Sequence, residues 1–155
     1  TFANVRIEKI LKLNNKASLP KQISLNIMYS QTYFYETIHE VLKPYGISIE
    51  QFNVLRILRG QKGKPINMGT IQERMIAKTS NTTRLVDKLV AKSLVVRAVC
   101  EKNRRKMEVT ITDKGLKLLD ILDELVENAE HFLASNLTQE EQTQLIKLLE
   151  KIRTD

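Results

Sequence analysis

Apolar residues recur at helical spacing along most of the chain, and strand-like alternation replaces them in one short region. In 5–13, VRIEKILKL, the apolar positions Val5, Ile7, Ile10, Leu11 and Leu13 predict a short helix. NNKASLPKQ breaks it, and the pattern resumes over about 23–42 with Ile23, Ile27, Tyr33 or Phe34, Ile38, Val41 and Leu42. KPYGIS carries Pro44 and Gly46, so a loop is expected there. Ser48, with Gln51 three residues later, has the form of a capping box. The helix it opens carries Ile49, Phe52, Leu55 and Leu58 and stops near Gly60. QKGKP is then a loop.

Residues 68–75 form a second short helical pattern with Met68, Ile71 and Met75 inward, followed by a turn around Ala77 and Lys78. Residues 80–92 are strongly amphipathic. Leu85, Val86, Leu89 and Val90 share one side, and Asn81, Arg84 and Lys88 share the other. Two short helices joined by a short turn form a helix-turn-helix signature. Alternation then predicts strands near 94–100 and 106–112, with Met107, Val109 and Ile111 on one face and Glu108 and Thr110 on the other. EKNRRKM, residues 101–107, lies between them as a basic hairpin tip. Asp113 starts a long helix whose stripe runs through Leu118 or Leu119, Leu122, Leu125 or Val126, Ala129, and Phe132 or Leu133. That spacing of about 3.5 resembles a seam against a partner helix. Thr138 with Glu141 is a second capping box, and the last helix carries Leu145, Ile146, Leu148, Leu149 and Ile152. The fold class expected is mostly α with a small β-hairpin wing, one domain over 1–155.

The net charge of +7 is concentrated rather than spread. Residues 78–107 hold nine cations against two anions, leaving sixteen of each sign for the rest of the chain. Such a patch is an electrostatic footprint for a polyanion. One cysteine, Cys100, excludes an internal disulfide. No apolar run is long enough to span a membrane, and a cytoplasmic location is expected. There is no Gly-rich phosphate loop and no nucleophile–base pair that spacing nominates, so no enzyme is expected. His39 and His131 have no Cys or carboxylate at metal spacing, so neither a metal nor a cofactor is expected.

The stretch SNTTRLVDKLVAKSLVVRAVCEKNRRKMEVTITDKG resembles the recognition helix and wing of the MarR (multiple antibiotic resistance) transcription regulators. TRLVDKL, LVVR, NRR and VTITDKG carry the resemblance, and FNVLRIL and IQERM match in type and order. It covers about 25–150. It implies a winged helix-turn-helix flanked by N- and C-terminal dimerisation helices, with a DNA-binding lobe at about 47–112 and dimerisation helices at about 1–43 and 113–155. It also implies a homodimer on a near-palindromic operator in double-stranded DNA, acting as a repressor released by a small, aromatic effector. Two positions depart from the family pattern. Ser93 stands where a helix-ending Gly is usual, and Ser meets a steric cost at positive φ. Asn103 stands where Asp usually precedes the wing arginines, which removes a charge partner and makes the tip more positive.

Residues at the start of a recognition helix reach base edges most easily. Ser80, Asn81, Thr83 and Arg84 are the candidates for that role, with Thr79 beside them. Asn suits adenine and Arg suits guanine, each with two hydrogen bonds. N-capping is the alternative for Ser80 and Asn81, and a phosphate contact is the alternative for Arg84. Lys78, Lys88, Lys102 and Lys106 are phosphate candidates or merely solvated. Arg104 and Arg105 would reach the flanking backbone or the minor groove, where a flat, always charged fork fits. YSQTYFY, residues 29–35, holds half of the eight aromatic residues. The resemblance implies an effector pocket there, lined by Tyr29, Tyr33, His39, Phe52 and Met68, against the alternative of core and dimer packing. Cys100 reads as a small buried apolar residue rather than an oxidant sensor. The rival to DNA binding is a dimeric winged-helix module for protein partners, which the local excess of Lys argues against.

Overall fold

The computed structural model describes residues 6–78, 80–100 and 103–153, except the side chains of Cys100 and of 103–106. The chain forms two compact units, Thr1–Thr37 and Ile38–Asp155.

In the first unit, α1 (Ile7–Ile10) is shorter than the expected 5–13, because Lys12 takes a positive φ of 51° and ends the helical run. Helix α2 (Leu19–Leu42) starts four residues before the Ile23 of the sequence pattern. Pro20 is its second residue, and in a first turn the missing N–H costs nothing and the fixed φ favours the helix. The rings of Tyr33 and Phe34 meet edge to face, with centroids 6.5 Å apart. From Ile38 onward α2 belongs to the second unit.

The second unit continues through a 3₁₀ turn (Lys43–Tyr45) to Gly46, at φ 63°. Helix α3 (Ile49–Arg59) opens with the expected capping box: the Ser48 hydroxyl accepts from the Gln51 N–H at 3.2 Å, and Gln51 Oε1 accepts from the Ser48 N–H at 3.0 Å. Then follow β1 (Ile66–Asn67), α4 (Met68–Arg74), α5 (Thr82–Ala91), β2 (Val95–Cys100), β3 (Asn103–Ile111), α6 (Asp113–Ala134) and α7 (Gln139–Ile152). The sheet order is β1-β3-β2, antiparallel throughout. Strand β1 is absent from the sequence reading. Two residues are too few to show alternation, yet they pair with Val109 and Glu108.

One apolar cluster organises this unit. Val54, Leu55 and Leu58 of α3 pack with Ile71 of α4, Val86 and Leu89 of α5, and Val109 of β3. Helix α6 buries Gly115, Leu119, Leu122, Val126 and Ala129. The stripe that resembles a seam against a partner helix is covered over Leu119–Val126 by the apolar cluster of its own unit, and Phe132 at its end is exposed. An ion pair between Arg59 and Asp123 ties α3 to α6, and Arg56 Nε lies 3.9 Å from the same carboxylate. Helix α7, opened by the Thr138–Glu141 capping box, buries none of its residues in the single chain. Among the described residues, no helix is long and apolar enough to cross a membrane.

The junction after α5 is the most constrained place in the unit. Ser93 takes φ 59°, the left-handed region in which Gly is at ease. Its N–H donates to the Val90 carbonyl at 2.8 Å, and the Leu94 N–H donates to the Leu89 carbonyl at 3.0 Å. These two bonds form a Schellman ending, closed by the apolar residues Leu89 and Leu94. Thr112, the N-cap of α6, bonds back: its N–H donates to the Leu94 carbonyl at 3.1 Å, and its hydroxyl lies 2.9 Å from the Ser93 carbonyl. Gly115 follows three residues later, where a Cβ would overlap the Leu94 carbonyl oxygen.

Two substitutions check this account by urea unfolding. Ser93→Gly relieves the left-handed strain and is expected to raise stability by about 1 kcal/mol. Gly115→Ala drives a methyl into backbone and is expected to lower it by about 1–3 kcal/mol.

Candidate nucleic-acid interface

The helix-turn-helix predicted for 68–92 is present as α4 and α5, and polar side chains fix its turn. Gln72, near the end of α4, donates through Nε2 to the Lys78 carbonyl and accepts the Thr82 hydroxyl at Oε1. Asn53 Oδ1, from α3, accepts the Ile76 N–H at 3.0 Å. The Lys78 ammonium donates to the Glu73 carbonyl, one of the acceptors left open at the end of α4. The sequence reading found none of these bonds. Each joins residues from five to 23 positions apart, and no local pattern marks them.

Helix α5 turns Thr82, Val86 and Leu89 inward. Thr82 is 4% exposed, whereas Val90, expected inward, is 38% exposed. The correction follows from periodicity: Thr82, Val86 and Leu89 are spaced i, i+4, i+7, and Val90 lies beyond the edge of that stripe. The outward face carries Thr83, Arg84 and Lys88, all exposed. Asp87 shares that face, and its carboxylate accepts from Arg97 of β2 at 2.7 Å. One cation and one anion of the basic segment therefore neutralise each other and brace the hairpin to α5.

Asn81 is the N-cap of α5, its Oδ1 accepting the Arg84 N–H at 3.0 Å. The capping alternative for Asn81 thus describes its oxygen. Ser80 precedes it, half-buried, with its N–H on the Ala77 carbonyl at 3.1 Å. Thr79 lies outside the described residues.

The hairpin differs from the expected one. Strand β3 begins at Asn103 rather than near Lys106. Residues pair regularly from Val95 with Ile111 to Val99 with Met107, and then Cys100 pairs with Asn103. Arg104, Arg105 and Lys106 fall inside that register shift, so the basic triplet occupies an irregularity of β3 rather than an open loop. Such bulges re-aim side chains. The side chains of Arg104, Arg105 and Lys106, and the whole of Lys102, lie outside the described residues, as does the side chain of Cys100.

The residues expected to line an effector pocket fall in different settings. Tyr29 and Tyr33 are exposed on α2 in the first unit. In the second unit, Phe52 is buried in the apolar cluster with the Arg56 guanidinium 5.6 Å from its ring centre, and Met68 packs against that cluster. His39 lines a cleft of about 530 Å³ shared with Lys43, Gln51, Lys88 and Lys92, so one wall is the C-terminal half of α5. The Lys92 ammonium donates to the Gly46 carbonyl across it. Among the described residues no group of His, Cys, Asp and Glu is arranged to hold a metal ion.

Comparison with known proteins places this geometry. Residues 47–107 match the MarR family model. The MarR transcription factor of Planctomyces limnophilus, known as a crystal structure, is 31% identical, with 88% of this chain and 98% of that one covered and a TM-score of 0.69. A mutant MarR from Escherichia coli, solved in complex with operator DNA, is 25% identical over 89% of this chain and 100% of its own, with a TM-score of 0.76. The transcriptional repressor MprA of Escherichia coli is 26% identical over 125 residues, 81% of this chain and 71% of MprA. The α4–α5 pair, its braced hairpin, the matched family model and a relative 31% identical over nearly its whole length lead to one conclusion: the chain belongs to the MarR family of transcription regulators.

Proposed function

We propose that the protein is a homodimeric, sequence-specific DNA-binding repressor of the cytoplasm, released from its operator by a small aromatic effector. The observation that carries the DNA-binding part is the outward face of α5. Thr83, Arg84 and Lys88 are exposed together on a helix whose opposite face is buried and whose entry is stapled to α4. In this reading Thr83 and Arg84 meet base edges, with Ser80 and Thr79 beside them. Asn81 holds the helix start and presents its amide nitrogen. Lys78 and Lys88, with Lys102, Arg104, Arg105 and Lys106 of the hairpin, meet phosphates or the minor groove. The 25% identical MarR solved on operator DNA and the repressor MprA support this direction.

Dimerisation is supported by α7, where Leu145, Ile146, Leu148 and Ile152 are 44–57% exposed in the single chain. An apolar helix face of that size in a folded protein calls for a partner, and a second copy fits the family. A two-fold dimer would set the two α5 helices about 34 Å apart, one turn of DNA, and would require a near-palindromic site. The cleft beside Lys88 and Lys92 offers an effector access to α5. Release requires the effector to bind the DNA-free form more tightly than the bound one. Equal affinity for both forms would sink that part of the proposal.

Fluorescence anisotropy tests the whole reading, with duplex from upstream of the gene against scrambled duplex over a range of salt. Tight, salt-steep binding of two chains to a palindromic segment is the expected result. Binding that is absent at low salt would turn the reading to a module for protein partners. Within the assay, Arg84→Ala is expected to lose roughly 1–3 kcal/mol of discrimination at one base pair. Arg105→Ala is expected to weaken binding to every sequence and reduce the salt slope by about one unit.

A further inference from the structure

Thr82 is a hydroxyl where the stripe of α5 wants an apolar side chain. It sits with Val86 and Leu89 on the buried face, and only 4% of it is exposed. Valine would fill the same space without a polar group to satisfy. Instead, the hydroxyl is bonded to Oε1 of Gln72, whose Nε2 is bonded in turn to the Lys78 carbonyl. One amide thus reaches from α4 to the turn and to the first residue of the next helix.

What a hydrogen bond adds over an apolar contact is direction. Apolar burial is indifferent to small rotations, whereas a hydrogen bond weakens steeply as its angle opens. The buried side of α5 is a slope of Val86, Leu89 and the partly buried Leu85. Its other directional ties, Asp87 to Arg97 and the bonds that end the helix at Ser93 and Leu94, lie toward its C-terminal end and leave the rotation of its first turn to the Gln72–Thr82 bond. The Gln72–Thr82 bond lies at the end where Thr83 and Arg84 project. A roll of about 20° moves a point about 6 Å from the helix axis by roughly 2 Å. That displacement is enough to break a hydrogen bond to a base edge. The rest of the turn has its own ties, Asn53 to the Ile76 N–H and Lys78 to the Glu73 carbonyl. Losing the Gln72–Thr82 bond therefore frees the roll without unravelling the turn.

We propose that Gln72 and Thr82 are positioning residues that set the rotation of the recognition helix, and through it which bases the protein distinguishes, without touching DNA themselves. The proposal rests on the DNA-binding reading above. It also separates two quantities. Non-specific affinity comes from charge and tolerates a roll, whereas discrimination comes from geometry and does not.

The test uses the full chain and the duplex that the wild type selects most strongly from a randomised pool, with a scrambled duplex as reference, at one salt concentration. Affinities for both duplexes and the urea midpoint are measured for wild type, Thr82→Val, Thr82→Ser, Gln72→Leu, and Thr82→Val combined with Gln72→Leu. Thr82→Val keeps the shape of the buried residue and removes only the hydroxyl. It is expected to lower the preference for the selected duplex about tenfold, with scrambled affinity unchanged. Thr82→Ser keeps the hydroxyl and is expected to retain the preference. The double variant is expected to lose no more than Gln72→Leu alone, because Gln72→Leu already removes the partner of the Thr82 hydroxyl together with the bond to the Lys78 carbonyl. Full preference in Thr82→Val, an equal loss in Thr82→Ser, or additive losses in the double variant would overturn the proposal while leaving the DNA-binding reading intact. A loss that tracks the urea midpoint and falls equally on both duplexes would reduce the pair to a stability element and overturn it too. A wild type that selects no sequence at all overturns the DNA-binding reading, and this proposal with it.

Discussion

The carbonyl oxygen of Leu94 accepts the N–H of Thr112 at 3.1 Å and shares its hydroxyl hydrogen, 3.0 Å away, with the Ser93 carbonyl, and the second unit is organised around that acceptor. Leu94 closes the end of α5 and leads into β2, while Thr112 ends the return from β3 and caps α6 through the Gly115 N–H at 3.0 Å. One oxygen therefore fixes the ends of two helices and the base of the hairpin. The Lys114 ammonium on the Lys92 carbonyl, 2.9 Å away, and the Thr112 hydroxyl on Ser93 close the same joint from the side. Only at such close approach can the stripe from Leu119 to Val126 meet α3, and only there is a side chain on residue 115 intolerable.

Ser93 shows what that joint demands of the chain. Its left-handed conformation is imposed from both sides, by the Schellman bonds to α5 and by Thr112 on its carbonyl. A serine adopts it against its own preference, at a cost of roughly 1–2 kcal/mol relative to a relaxed backbone. The surrounding bonds outweigh that cost, so a serine here lowers stability and still takes the left-handed turn.

Features encoded within one helical turn were legible in the sequence. Both capping boxes join residues three apart, and Ser48–Gln51 and Thr138–Glu141 stand as expected. The alternation of β3 was equally local, with Val109 and Ile111 buried, and so was the stripe of α6, although what covers it, the core of its own unit rather than a partner helix, was not. What escaped was decided at a distance. Nothing near Thr82 says that its hydroxyl meets Gln72 ten residues earlier, so the stripe was extended to Val90 instead. Nothing near Arg97 says that it meets Asp87 rather than an anion outside the chain. The bulge at Arg104 to Lys106 depends on where β2 ends, and a run of four cations in seven residues reads as an open tip because charge hides strand register. Of the expected interface, the outward face of α5 was legible because amphipathicity is periodic. The staples that orient it were not, because they are single pairings.

Asn67 belongs to two elements at once. As a strand residue of β1 it pairs with Glu108 of the hairpin, and as the N-cap of α4 its Oδ1 accepts the Thr70 N–H at 3.0 Å. Asn67 is thus a further link between the hairpin and the helix pair, beside the Asp87–Arg97 pair, with no flexible tether between them. Two binding elements on a loose tether meet a ligand one after the other, and the second contact is governed by the effective concentration that the tether allows. Here folding has already removed that freedom. In the DNA-binding reading proposed above, a rod-like polyanion seated on one element would find the other in register, with the ordering entropy of the second contact spent before any ligand arrives. In that reading, a ligand too short or too curved to span both would gain one contact and forgo the second.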